Sequence, residues 1–310
     1  MPDPVLYLKA VTSAAAVSML LVVALAWIQR RWFRSLPQPV VEVLALGGGM
    51  LAGSLLLRLP FVWPPTTALQ RLMMLVIPMA AALELAAAWP KVPRRLVWSL
   101  RCLLSIAVVR CELHGSVYLG DSSAAWSFWL SVVVLLGCGL LGLAVWLILV
   151  WLTRRSPGLS LPLSVAQAQL CAGLMIMLTG YLRGGEAALP LFASLAAVAV
   201  VGVFITPGSS GEAVIGMGVV NLGALLLIGH FFGGLSATQS LVIFCAPLLC
   251  AVSEFAWVKR RPRWIVEVVR LLLVAAPLLT VLVLEKQRFD REMKPLLTNV
   301  ESSHQPQTLN

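Results

Sequence analysis

Apolar runs of roughly twenty residues follow one another along almost the whole chain, and four of them end at a small cluster of arginines or lysines before the next begins. About 20 apolar residues are what a helix needs to cross a bilayer, and a backbone in hydrocarbon must satisfy its own hydrogen bonds, so the pattern admits helices and little else. The runs supply about ten spans. With 60% of its 310 residues hydrophobic and 12% charged, the chain keeps no stretch in reserve for a water-soluble domain. The expected fold is all-α, a polytopic transmembrane helix bundle.

The spacing predicts helices over about 8–28, 40–58, 71–89, 96–113, 126–152, 161–182, 187–205, 213–232, 241–257 and 264–284. A polar tail without apolar periodicity follows and is expected to be disordered. Ala24-Leu25-Ala26 has the small-x-small form of a signal-peptide cleavage site, but the flanking charges run the wrong way: Lys9 and Asp3 precede the first run, whereas Arg30, Arg31 and Arg34 follow it. We read a retained first helix with its N-terminus outside. Further basic clusters follow the third span (Lys91, Arg94, Arg95), the fifth (Arg154, Arg155) and the ninth (Lys259, Arg260, Arg261, Arg263). The connections after the second, fourth and sixth spans carry only Arg58, Arg71, Arg110 and Arg183. The positive-inside rule then puts the basic turns in the cytoplasm of a cell-membrane protein, while Lys286, Arg288, Arg291 and Lys294 leave the side of the C-terminal tail open.

The net charge of +10 is therefore explained by topology and anionic headgroups; membrane lipids are the expected partners and nucleic acid is not. The six cysteines lie in or beside apolar runs without CxxC spacing and read as small hydrophobes. Three distant histidines form no metal cage, and no cofactor is expected.

The stretch from Glu42 to Ala107 recurs from Glu212 to Ala275. Gly48 aligns with Gly218, Gly53 with Gly223, Gln70 with Gln239, Pro78 with Pro247, Trp89 with Trp257, Lys91 with Lys259 and Arg95 with Arg263, allowing two single-residue gaps. Six spans separate matched helices, so the copies have one orientation and predict a parallel duplication of 4 + 2 + 4 helices. This divides the chain into a first four-helix repeat (1–113), an external loop with two linking helices (114–186), a second repeat (187–284) and the tail (285–310).

Glu84 precedes the second basic turn by about as many residues as Arg101 follows it, so at ~1.5 Å per residue both lie at similar depth on adjacent antiparallel helices. An ion pair is expected there. The second copy offers Glu254 and Arg270, with Glu267 one turn before Arg270 as a competing partner. Such charges serve either as a gate or anion site, or as a structural pair near the interface. Glu42 and Glu212 are placed in first helical turns, where a carboxylate meets the positive end of the helix dipole. Gln167, Gln169 and Asn221 are deeper amides, suited to interhelical bonds or to lining a substrate path. Glu112, His114, Tyr118 and Asp121 in the external segment match no catalytic or metal spacing and read as a solvated loop. Gly208-Ser209-Ser210-Gly211 and His230-Phe231-Phe232-Gly233-Gly234 superficially resemble the serine and histidine motifs of rhomboid intramembrane proteases. Ser210 and His230 nevertheless stand at opposite ends of one span, about 30 Å apart, beyond the reach of a nucleophile and its base.

No catalytic residue is assigned and an enzyme is disfavoured. The leading expectation is a permease- or transporter-like bundle for a neutral, lipidic or anionic small substrate, with a pathway lined by the second, fourth, eighth and tenth helices. The alternative is a non-catalytic membrane subunit or scaffold, partnered by other subunits or by a second copy.

Overall fold

A computed structural model describes residues 4–32, 36–119, 126–205, 211–255 and 261–303, with side chains to residue 291. The described residues are all-helical, without a strand. In chain order the rods are α1 (Pro4–Arg31), α2 (Gln38–Leu56), α3 (Ala68–Ala87), α4 (Arg94–Glu112), α5 (Phe128–Arg155), α6 (Ser160–Leu178), α7 (Leu182–Ile205), α8 (Glu212–Phe232), α9 (Ala237–Glu254) and α10 (Arg263–Ser303). Nine of them are long and apolar enough to cross a membrane; α4, with Arg101, Arg110 and Glu112, is the exception. Successive rods alternate in direction, so the basic turns share one end of the bundle, which we call the basic end.

α10 corrects one expectation. It runs on to Ser303 where a polar, disordered tail was predicted to begin near 285. Lys286, Gln287, Arg288, Glu292, Met293 and Lys294 are good helix formers with no glycine among them, and the winding carries on past Pro295 after apolarity ends.

α8 is the most enclosed span and packs against α2 through α7 and α9. The α1–α2 hairpin lies on α7, and the close approach explains two glycines. A Cβ at Gly49 would meet Ser18 Oγ at 1.9 Å, and one at Gly53 would meet Ala14 and Pro190 Cβ atoms at 2.9 Å. Gly47, on another face of the same run, meets nothing. Small residues let helices without a hydrophobic drive between them gain van der Waals contact. Ser18 adds a hydrogen bond to the Ala45 carbonyl at 3.1 Å. α6 packs along α7 and α8, α10 covers α6 and α9, and α5 stands at the edge against α4 and α8.

α3 and α9 share an irregular design. Each starts with a capping box, Thr67 with Gln70 and Ser236 with Gln239. Each then changes winding at its proline: α3 passes through a π-turn at Leu72–Val76 ahead of Pro78, and α9 turns from α to 3-10 over Ala246–Glu254, around Pro247. Proline has no N–H to donate and crowds the carbonyl four residues back, and a local rewinding relieves the crowding in α3 and α9, whereas α7 carries Pro190 without one.

Candidate functional site

One face of α4 carries the site. Arg101, Ser105, Val108 and Glu112 recur at i, i+4, i+7 and i+11, a single stripe along the helix, and all four are buried. The stripe has an ion pair near the basic end, an apolar wall in the middle and a carboxyl at the opposite end, about 16 Å from first to last.

At the basic end Arg101 grips Glu84 of α3 with two nitrogens: Nη2 lies 2.8 Å from Oε2 and 2.9 Å from Oε1, and Nε 3.1 Å from Oε1. The side chains are 3% and 2% exposed. The guanidinium is also held between the rings of Trp98 and Trp146, at 4.7 and 5.0 Å from their centroids. Fork geometry and ring stacking both suit arginine and would not suit lysine. Glu84 fits because residue 216 on α8 is glycine; a Cβ there would stand 2.4 Å from Glu84 Oε1. The pair expected from depth alone is therefore present, and Trp146 and Gly216 are members of the site that sequence reasoning missed.

Above the pair lies a cavity of about 430 Å³ between α4, α5, α8 and α9. Its size is that of an ordinary small-molecule site. The walls are apolar, from Val108 and Val109 on α4, Gly142 on α5, Val220 on α8 and Phe244 on α9, and Trp146 forms the floor. Two buried polar atoms, Trp146 Nε1 and Ser240 Oγ, have no hydrogen-bond partner. The far end is closed by aromatics: Trp126 lies 4.8 Å from Tyr118 and 5.5 Å from Phe231, ring to ring. At the basic end α5 is tied to α8 by Arg154 with Glu212, at 2.7 Å, and to α9 by Arg155 with Glu254, at 3.5 Å. Between these fastenings, Leu141 of α5 and Leu241 of α9 line the cavity and are exposed, so the cavity opens sideways between the two helices. Of the helices expected to line a pathway, α4 and α8 do; α5 and α9 take the places of α2 and α10.

The external-loop reading is corrected for Glu112. It closes the α4 stripe with no exposed surface, and neither carboxylate oxygen has a hydrogen-bond partner. Arg71 at the start of α3 is also buried, donates to the His114 carbonyl and leaves its Nε without an acceptor. Tyr118 belongs to the aromatic closure, and its hydroxyl is 3.5 Å from the Phe231 carbonyl. Asp121 lies outside the described residues, as does Ser210.

The second copy differs. Arg270 is 2% exposed and does not pair with Glu254; Nη1 lies 3.2 Å from Ser160 Oγ, and Nη2 donates to Ser253. Glu254 turns to Arg155, and Glu267 accepts from the Ser160 backbone N–H at 2.6 Å. The Arg270 and Glu267 bonds tie α10, α6 and α9 together, away from the cavity, whereas the Glu254 pair is the α9–α5 fastening already described. The expected Glu254–Arg270 pair does not form; the residue that Arg270 reaches, 17 positions earlier as Glu84 is from Arg101, is Ser253.

Gln169 and Asn221 are buried on the α6–α8 side, where Gln169 Nε2 lies 3.4 Å from the Gly218 carbonyl; half-buried Gln167 is likewise no part of the cavity wall. Glu212 is in the first turn of α8, as expected. Glu42 is not in the first turn of α2, which starts at Gln38; it sits further in and is buried. His230 lines the cavity with its Nδ1 2.7 Å from the Leu235 carbonyl. Among the described residues no three His, Cys, Asp or Glu side chains gather as metal ligands. Comparison with models of protein families, with curated proteins and with solved structures finds no match to this chain.

Proposed function

We propose that this chain is a permease-like membrane bundle whose substrate is a lipidic, largely uncharged small molecule, taken up sideways into the cleft between α5 and α9. The observation that carries the reading is the cavity itself, apolar on its walls, open on its flank and supplied with one donor at Trp146 and one hydroxyl at Ser240. Such a site favours a hydrocarbon body with a single polar group. The Glu84–Arg101 pair under Trp146 and the aromatic closure at Trp126 and Phe231 act as the two gates. Cytoplasmic placement of the basic end follows from the positive-inside rule.

An internal duplication fits this reading. Support comes from the two capping boxes, the two prolines at which α3 and α9 rewind, and two buried arginines that each bond the residue 17 positions earlier. Trp257 and Lys259, which complete the alignment, lie outside the described residues.

Gly142 lines the cavity and a Cβ there meets nothing within 4 Å; Gly137, five residues earlier on α5, is equally unhindered and lies off the cavity wall. Gly142→Phe should fill the cavity and Gly137→Phe should not. Native mass spectrometry of protein released gently from its membrane is expected to show a retained lipid or small molecule on the parent and on Gly137→Phe, and none on Gly142→Phe. Equal retention by both variants would remove the cavity from the proposal, and a stoichiometric protein partner would favour a membrane subunit.

A further inference from the structure

Glu112 and Arg71 form a buried acid and base that do not meet. Both oxygens of Glu112 and Nε of Arg71 lack partners, and the two side chains stand beyond ion-pair distance. An ionised carboxylate without a donor, out of reach of water, is strongly disfavoured, and such a group takes up a proton instead. Arg71 meanwhile spends its Nη1 on the His114 carbonyl, a bond that does not need Glu112 to be charged.

We propose that Glu112 is a proton-binding site, a carboxylic acid while Arg71 is bonded to His114, and a carboxylate when Arg71 turns from that carbonyl to pair with it. The proton bound in the first state is released to water at the end of the bundle opposite the basic turns. Glu112 stands one turn beyond Val108 and Val109 of the cavity wall, so the rotation of Arg71 would be felt where substrate sits. That consequence rests on the permease reading; the protonation itself does not.

The surroundings fit a neutral acid. Across from Glu112, the α6–α7 turn presents Tyr181, whose phenol is held above its ordinary range chiefly by burial. α8 contributes His230, whose Nδ1 is engaged by the Leu235 carbonyl. Cys111 precedes Glu112 on α4, and Arg110 turns outward to the His114 ring at 3.4 Å. α5 offers only Cys138 along the cavity among its described residues. Arg71 is therefore the cation placed to answer ionisation.

Infrared spectroscopy of the whole protein in lipid tests this directly. At neutral pH the parent is expected to show a protonated-carboxyl carbonyl band that Glu112→Gln removes and Glu212→Gln, at the partly exposed carboxylate paired with Arg154, does not. In Arg71→Gln, without the cation that stabilises the ionised form, the same band should persist to higher pH than in the parent. A parent spectrum unchanged by Glu112→Gln, or a band whose pH dependence ignores Arg71→Gln, overturns the proposal. Because the band is read without substrate, a protein that binds nothing in the cavity can still pass this test.

Discussion

Glu84 and Arg101 are a pair whose value depends on both being present. Removing one charge from a buried, two-pronged pair strands the other, at a cost of about 3–5 kcal/mol, whereas replacing both with apolar residues of similar size is often neutral. Glu84→Gln is therefore expected to lower thermal stability in detergent strongly, and Glu84→Met with Arg101→Met to recover most of the loss. Equal losses in the two variants would mean that the pair holds nothing together. Gly216 extends the argument: Gly216→Ala forces a methyl against Glu84 and should cost about 1–3 kcal/mol, less so in a Glu84→Ala background because the clash is shared. The pair was legible because depth along adjacent antiparallel helices is simple arithmetic on residue number. Gly216 and Trp146 were not, since nothing in the order of residues says which side of α8 or α5 will face α3 and α4.

The spans themselves were legible from apolar length, and even the two capping boxes stand in the sequence as Thr67-x-x-Gln70 and Ser236-x-x-Gln239. The winding that follows was not. A proline announces a break, but the choice between a π-turn and a 3-10 stretch depends on what packs against the helix. The caps also differ in a way that can be measured. Removing the hydroxyl in Thr67→Ala or Ser236→Ala should cost about 1 kcal/mol each. Gln239 has a further duty, since its Nε2 lies 2.6 Å from Glu285 of α10. Gln239→Ala is thus expected to destabilise more than Gln70→Ala, with the excess vanishing in a Glu285→Gln background if the ionised acceptor is what matters. Thermal unfolding of the four single variants decides it; equal effects for the two glutamines would show that the α9–α10 bond is idle.

At the scale of the molecule, length and charge set a geometry that labelling can check. α10 has 41 residues, so at ~1.5 Å each it is about 60 Å long, roughly twice the hydrocarbon core of a bilayer. It starts at the basic end, beside Arg263, and the excess must project from the opposite face. The described part of the tail, to Ser303, is then a helical extension on the side of the α4–α5 connection, whichever way the bundle is inserted. The Lys and Arg residues after the last span then count on that side, so the twelve basic residues of the basic turns face eight, and the positive-inside bias is narrowed without being reversed. In a variant lacking the native cysteines, Val117→Cys and Ser302→Cys should react with a membrane-impermeant maleimide from one side and Lys91→Cys from the other. With the basic end cytoplasmic, the first two label in intact cells and the third only after permeabilisation. A fully inverted pattern would keep the bundle and reverse its orientation, moving the proton site from the outer to the inner face. Ser302 labelling together with Lys91 would mean that α10 does not cross, and would detach α10 from the cover it gives α6 and α9.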